Sequence, residues 1–123
     1  MLEPLNAKDL RPDDLRRLLR GAKYHNVRET VDGYTFDSRR EARRYRELRL
    51  LEASEHIARL EVHPVFGIEV NGMRVCKYIA DFSYFSFKRM RVIVEDVKGV
   101  RTPSYKLKKK LMLAVRGIVI EEV

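Results

Sequence analysis

The stretch formed by residues 78–99 constrains the fold of this chain more than any other part. It holds two runs rich in β-branched and aromatic residues, at 78–85 and 91–98, with a short basic segment between them. Runs of about eight such residues are typical of β-strands. The pattern therefore predicts two neighbouring antiparallel strands joined by a turn at residues 87–90.

Among the charged residues of these predicted strands, Asp81, Asp96 and Lys98 stand where a buried strand should not carry a charge. A charge in an apolar strand is destabilising unless it is paired or binds a metal ion. Alternation places Asp96 and Lys98 on one face, and pairing of the two strands brings Asp81 beside Asp96. A divalent cation would relieve the repulsion between two carboxylates, and oxygen ligands favour Mg²⁺ or Mn²⁺. A buried salt bridge between Asp81 and Lys98, with Asp96 facing water, is the alternative explanation.

Asp81, a hairpin and the sequence Asp96-Val97-Lys98 together resemble the signature of the PD-(D/E)XK nuclease superfamily. The surrounding sequence resembles a phage-encoded branch similar to archaeal-type Holliday junction resolvases, and it reads KYIADFSY, VEDVKG, T-x-x-Y and KLKKKL. The resemblance extends over residues 23–111, and Ala80 stands where the superfamily signature has proline. It implies an α/β fold with a restriction-endonuclease-like core, in which helices flank a mixed central β-sheet.

The resemblance also implies a catalytic set, which comprises Glu41, Asp81, Asp96 and Lys98. Asp81, Asp96 and the carbonyl group of Val97 would bind Mg²⁺ or Mn²⁺, and Glu41 would be an outer ligand. Lys98 would orient or deprotonate the attacking water, or neutralise charge in the transition state. The expected reaction is hydrolysis of DNA phosphodiester bonds, most directly paired cuts at a four-way junction, without a small-molecule cofactor.

Residues 38–53 predict a helix that begins at Ser38. Ser38 and Glu41 have the spacing of a capping box, in which Glu41 would bond back to the Ser38 backbone. Glu41 also shares a face with Tyr45 and Leu48, at the spacing of a buried helical stripe, which favours the outer-ligand role. Several arginines cover the remaining surface, as a phosphate-binding face or simply a solvated one: Arg39, Arg40 and Arg43 are the candidate DNA contacts.

Thr102 and Pro103 predict the start of a second helix that runs to about residue 115. Its expected buried face comprises Leu107, Leu111 and Ala114. The candidate DNA contacts of this region are Thr102, Tyr105, Lys106, Lys109 and Lys110. Gly117 ends the helix and a strand follows at 118–123, so a strand–helix–strand unit predicts a parallel crossover and a mixed sheet.

The remaining segments predict one nuclease domain at 23–123, preceded by a helical appendage at 1–22 that packs on the body or on a second subunit. A small hairpin is expected at 27–36 with Asp32-Gly33 as its turn, a short extended piece at 57–60, and strands at 65–70 and 73–85. His63 is interpreted as structural. The strands at 65–70, 73–85 and 91–98 would form one antiparallel meander.

Charge indicates a polyanionic partner, because the formal net charge is +8 and the pI about 9.8. A single cysteine, Cys76, excludes an internal disulfide, and no apolar run predicts a membrane span. The expected setting is the cytoplasm of a phage-infected bacterium. A two-fold homodimer would match a branched DNA substrate. Alternatives are another phage nuclease, acting on flaps, damaged DNA or single strands, and a non-catalytic DNA-binding protein of the same fold.

Overall fold

This computed structural model describes residues 27–123. The described chain begins with a hairpin, and a helix follows it. Strands β1 (Glu29–Val31) and β2 (Tyr34–Phe36) pair antiparallel around a turn in which Asp32 and Gly33 have positive φ angles. Helix α1 (Arg39–Ala53) begins after Ser38, whose hydroxyl oxygen accepts a hydrogen bond from the Glu41 N–H at 3.1 Å. The predicted hairpin and helix are therefore confirmed. The predicted appendage at 1–22 lies outside the described residues.

A four-stranded mixed sheet with the order β3-β6-β7-β8 forms the centre of the described chain. Its strands are β3 (Ile57–Val62), β6 (Phe82–Ser86), β7 (Arg91–Asp96) and β8 (Ile120–Glu122). Strand β6 pairs antiparallel with β3 and β7, whereas β8 pairs parallel with β7. Helix α2 (Pro103–Arg116) connects β7 to β8. Residues 27–123 thus form an α/β fold with a mixed sheet and two helices, and the predicted α/β class is confirmed.

The predicted long strand at 73–85 is two strands, because the chain changes its pairing partner at Ala80 and Asp81. Strands β4 (Val65–Val70) and β5 (Met73–Ile79) form a separate two-stranded hairpin. The Ala80 N–H still donates to the carbonyl oxygen of Pro64 at 3.1 Å, whereas the Asp81 N–H donates to that of Glu95 at 3.2 Å. The expected meander is therefore wrong, and β3 occupies the position beside β6. The residue pattern of 73–85 is typical of one continuous strand, and the division into two strands results from pairing with distant segments.

Two apolar clusters cover opposite faces of the central sheet. Along β7, Ile93 belongs to one cluster and Val94 to the other, as strand alternation requires. The cluster against α1 comprises Phe36, Ala42, Tyr45, Leu48, Ile57, Phe82, Tyr84, Ile93 and Val97. The cluster against α2 and the β4–β5 hairpin comprises Ile68, Tyr78, Ala80, Val94, Tyr105, Met112 and Ile120.

Helix α2 presents a different face to the sheet from the one expected. Tyr105 and Met112, two turns apart, are its buried residues. Of the predicted face, Leu111 is partly buried, whereas Leu107 and Ala114 are exposed. The Leu107 and Ala114 predictions are therefore wrong. Leucines lie on more than one side of this helix, so packing against the sheet decides its rotation. Within residues 27–123, neither helix has the length and apolar character needed to span a membrane.

Candidate functional site

Asp81 and Asp96 lie side by side where β6 begins and β7 ends, and each carboxylate accepts a hydrogen bond from the backbone near the other. The Asp81 N–H donates to Oδ1 of Asp96 at 3.2 Å, and the Val97 N–H donates to Oδ2 of Asp81 at 2.7 Å. The Asp81 N–H is thus shared between the Asp96 carboxylate and the carbonyl oxygen of Glu95, so side-chain and backbone hydrogen bonds together close this end of the sheet. The proximity of the two acids follows from the antiparallel pairing of β6 with β7.

Glu41 approaches Asp81 from the first turn of α1 and is half-buried. Burial raises the pKa of Glu41 from 4.5 to about 7, and the charges of Asp81 and Asp37 act in the same direction, while Lys98 opposes them. Burial also raises the pKa of Asp81, against the hydrogen bond from Val97. Burial is therefore the main reason that these two carboxyl groups resist ionisation.

His63 is a further member of the site, although its sequence context predicts a structural role. Glu41, His63 and Asp81 can each offer one ligand atom such that all these atoms lie within 4.8 Å of one another. The reason is the pairing of β3 with β6, which continues beyond Val62 because the His63 N–H donates to the carbonyl oxygen of Asp81 at 2.9 Å. The place of His63 in the site can be predicted only from this pairing, and an interpretation of the sequence that leaves β3 out of the sheet misses it.

Asp96 is the most deeply buried acid of the site. It is 1% exposed, and its Oδ2 atom has no hydrogen-bond partner within the described chain. Burial raises the pKa of Asp96 from 3.8 to about 6, although Lys98 acts against this change. The Lys98 Nζ atom lies 3.8 Å from Oδ1 of Asp96 and 4.1 Å from the centroid of the Tyr105 ring. Lys98 thus pairs with Asp96, and Asp96 is buried. The alternative explanation, in which Lys98 pairs with Asp81 and Asp96 faces water, is therefore wrong.

The predicted catalytic residues meet at this end of the sheet, but not as one compact group. Glu41 joins His63 and Asp81, whereas Asp96 is not part of that cluster of described residues and contacts it through the Asp81 backbone. An open cleft connects Glu41 to Lys98, and its walls comprise Asp37, Ser38, Arg40, Glu41, Val97, Lys98, Gly99 and Val100.

Glu95 lies on the opposite face of the sheet from Asp96, as alternation predicts. Arg44 donates to both of its carboxylate oxygens, at 2.8 and 2.6 Å, and the Tyr84 hydroxyl donates to one of them. Burial, with the neighbouring Glu95 carboxylate, raises the pKa of Tyr84 above its usual value. The Glu95 carboxylate is therefore engaged in the core and is not available to a ligand at the site.

The arginines predicted to contact DNA differ in their surroundings. Arg39 and Arg43 are exposed on α1. Arg40 donates to the carbonyl oxygen of Lys98 at 3.2 Å and to that of Val123 at 3.1 Å. Arg40 therefore holds two chain segments together beside the cleft, and its guanidinium group is already partly satisfied.

The candidates on α2 divide in the same way. Lys106 and Lys110 are exposed. Thr102 is the N-cap, and its side-chain oxygen accepts from the Tyr105 N–H at 3.1 Å.

Tyr105 is buried and its hydroxyl donates to Glu122 at 2.8 Å, while the Lys109 Nζ atom lies 3.3 Å from the same carboxylate. The structure thus places Tyr105 in the core, because the helix turns its Tyr105 face towards the sheet.

One comparison with known proteins finds a match. A family model described as "Protein of unknown function (DUF1064)" matches residues 21–117 and thus most of the chain. No curated protein and no solved structure matches it.

Proposed function

We propose that this chain, which belongs to the DUF1064 family, is a metal-dependent DNA endonuclease of the PD-(D/E)XK superfamily with a restriction-endonuclease-like core. The observation that carries the proposal is the interlocked pair Asp81 and Asp96, with Lys98 3.8 Å from Asp96 and Glu41 beside Asp81. Acids at the end of one strand and the start of its neighbour, with a lysine two residues beyond, form the arrangement that this chemistry requires.

The residues present fit a divalent cation. Glu41 and Asp81 are close enough to share an ion, and Oδ2 of Asp96 is a buried acceptor without a partner in the described chain. Buried carboxylates without compensating charge are unfavourable, so bound positive charge would stabilise this end of the sheet. Asp81, Asp96 and the carbonyl group of Val97 would hold Mg²⁺ or Mn²⁺, with Glu41 directly or through water.

A cation held there would supply Lewis acidity, which would polarise a phosphate and lower the pKa of water. Lys98 contributes an ammonium group that the Tyr105 ring and Asp96 hold at the mouth of the cleft. Its ammonium group orients the attacking water or neutralises charge that develops on the phosphate. Arg40 fixes the segment that carries Lys98, through its bond to the Lys98 carbonyl oxygen.

Branched DNA is the proposed substrate, and a homodimer is the proposed active form. The net charge of +8 favours binding to a polyanion. Exposed cations on both helices, Arg39, Arg43, Lys106 and Lys110, are the proposed phosphate contacts. A two-fold dimer would present two equivalent centres to the two symmetric strands of a four-way junction.

The test is cleavage of a labelled four-way junction and of linear duplex, with Mg²⁺ or with EDTA. We expect paired nicks near the junction centre that require the metal. Asp81→Asn should abolish them while keeping an acceptor for the Val97 N–H, so the strand ends stay joined. Arg43→Gln, which changes an exposed residue, should weaken DNA binding without abolishing the cut.

Each other outcome has a defined meaning. Retardation of DNA that is never cut, with Mg²⁺ or Mn²⁺, would refute the nuclease and favour the non-catalytic binding protein. Equal cutting of linear duplex would refute selectivity for junctions and leave the nuclease chemistry in place. Cleavage by Asp81→Asn at the rate of the unchanged protein would refute the assigned site.

A further inference from the structure

We propose that His63 is a direct ligand of the metal centre, and that the centre therefore binds a first-row transition-metal ion more tightly than it binds Mg²⁺. The inference rests on the proposed metal-dependent function and names the class of ion. Nothing in the acidic motif predicts it, because that motif contains oxygen ligands alone.

The position of His63 follows from backbone hydrogen bonds. The pairing of β3 with β6 ends with Val62 opposite Phe82, so His63 and Asp81 are the next residues along the two chains. The His63 N–H donates to the carbonyl oxygen of Asp81 at 2.9 Å, which fixes that register. The ligand atoms of Glu41, His63 and Asp81 accordingly lie within 4.8 Å of one another.

The His63 backbone is held on its other side as well. The following residue, Pro64, accepts a hydrogen bond from the Ala80 N–H at 3.1 Å, and the His63 ring lies 5.7 Å from the Phe36 ring, centroid to centroid. The φ angle of His63 is +54°, a conformation that few residues other than glycine adopt. The ring is thus placed beside Glu41 and Asp81 by the fold itself, before any ion arrives.

A second observation points to a cation at the same place. Asp96 is 1% exposed, and its Oδ2 atom has no hydrogen-bond partner among the described residues. The other oxygen of this carboxylate accepts the Asp81 N–H at 3.2 Å, so the unpartnered atom belongs to a group in direct contact with the cluster. A nitrogen ligand, two carboxylates within 4.8 Å of it and an adjoining unsatisfied carboxylate form the donor set.

This donor set decides the preference between ions. Mg²⁺ is a hard ion that takes oxygen ligands and water, whereas imidazole nitrogen suits transition-metal ions. Affinity for a mixed nitrogen and oxygen site rises from Mn²⁺ to Co²⁺. His63 should therefore strengthen Co²⁺ binding selectively, while contributing little to Mg²⁺ binding.

Calorimetric titration of the full-length protein with Co²⁺ and with Mg²⁺, in the absence of DNA, tests the inference. His63→Asn suits the position, because asparagine tolerates a positive φ angle and its amide is a poor ligand for transition metals. We expect this variant to bind Co²⁺ at least about tenfold more weakly and Mg²⁺ within about threefold of the unchanged protein. His56→Asn changes an exposed histidine next to Ser54 and should leave both affinities unchanged.

His63→Asp provides the second variant, since aspartate also tolerates this backbone and restores a hard ligand. It should bind Mg²⁺ at least as tightly as the unchanged protein while losing the preference for Co²⁺. Equal Co²⁺ affinity in His63→Asn, equal loss of both ions, or a native protein without preference for Co²⁺ would each overturn the assignment. Unchanged metal binding in Asp81→Asn would refute the metal centre itself and with it the proposed nuclease, so the two failures are distinguishable.

Discussion

Arg44 and Glu95 form the ion pair whose disruption should reduce the stability of this fold most clearly. Glu95 is 1% exposed, whereas the Arg44 side chain is 25% exposed. Arg44→Met keeps most of the aliphatic stem and removes the guanidinium group, which leaves a buried carboxylate with only the Tyr84 hydroxyl as a partner. Breaking one side of a buried pair costs about 3–5 kcal/mol. Because Tyr84 remains and Arg44 is partly solvated, we expect a loss of about 3 kcal/mol, the lower end of that range.

Urea unfolding, followed by circular dichroism, measures this change. In a thermal melt, the melting temperature should fall by about 12 °C for a chain of this size. Arg43→Met is the matched control, because it alters an exposed arginine of the same helix and should change the unfolding free energy by no more than about 0.5 kcal/mol.

A double variant separates the buried charge from the packing. Arg44→Met combined with Glu95→Leu removes both charges and should recover most of the lost stability, since apolar replacement of a buried pair is often neutral. Glu95 lies on the face away from Asp96, so metal-dependent cleavage should persist in the double variant. A loss below about 1 kcal/mol in Arg44→Met, or no recovery in the double variant, would refute the reasoning.

Two other predictions concern the acids near the metal centre. Asp96→Asn should raise the unfolding free energy of the metal-free protein by about 1 kcal/mol, because it neutralises a buried carboxylate with an unsatisfied oxygen, and it should abolish cleavage; a less stable variant in urea unfolding would contradict this. The hydrogen bond from Arg101, then that from Tyr105, lowers the pKa of Glu122 from 4.5 to about 2. Because the pKa of Glu122 is lower in the folded protein, this residue adds stability that is complete above its pKa in the unfolded chain and is lost as the pH falls towards 2. The unfolding free energies of the unchanged protein and of Glu122→Gln should therefore differ at pH 7 and converge near pH 2. A gap that stays constant over this range would rule out the Glu122 contribution.

Local signals in the sequence predict the helices of this chain well. Ser38 and Thr102 each accept a hydrogen bond from the backbone N–H three residues later, and Gly117 ends α2 with a φ angle of +66°. Such caps are determined within a single turn, so the residues that form them suffice to locate them. The proximity of Asp81 and Asp96 is also predictable, because it requires only that neighbouring strands pair.

Pairing between distant segments is what the sequence conceals. The change of partner at Asp81 depends on β3 and β7. The charge of Asp81 interrupts the apolar run from β5 into β6, but it does not show which segments pair on either side. The place of His63 in the site depends on the same pairing. The rotation of α2 buries Tyr105 and exposes Leu107. It depends on how the helix fits against the sheet, and the helix sequence alone does not contain that information.

The change of pairing partner at Asp81 has a consequence for the order in which this protein folds. The acids and the histidine come from segments far apart along the chain, and they meet only when the central sheet has formed around β6. Bringing distant segments together carries an entropic penalty that the contacts offset only at the end. We therefore expect catalytic competence only in a chain whose central sheet is complete.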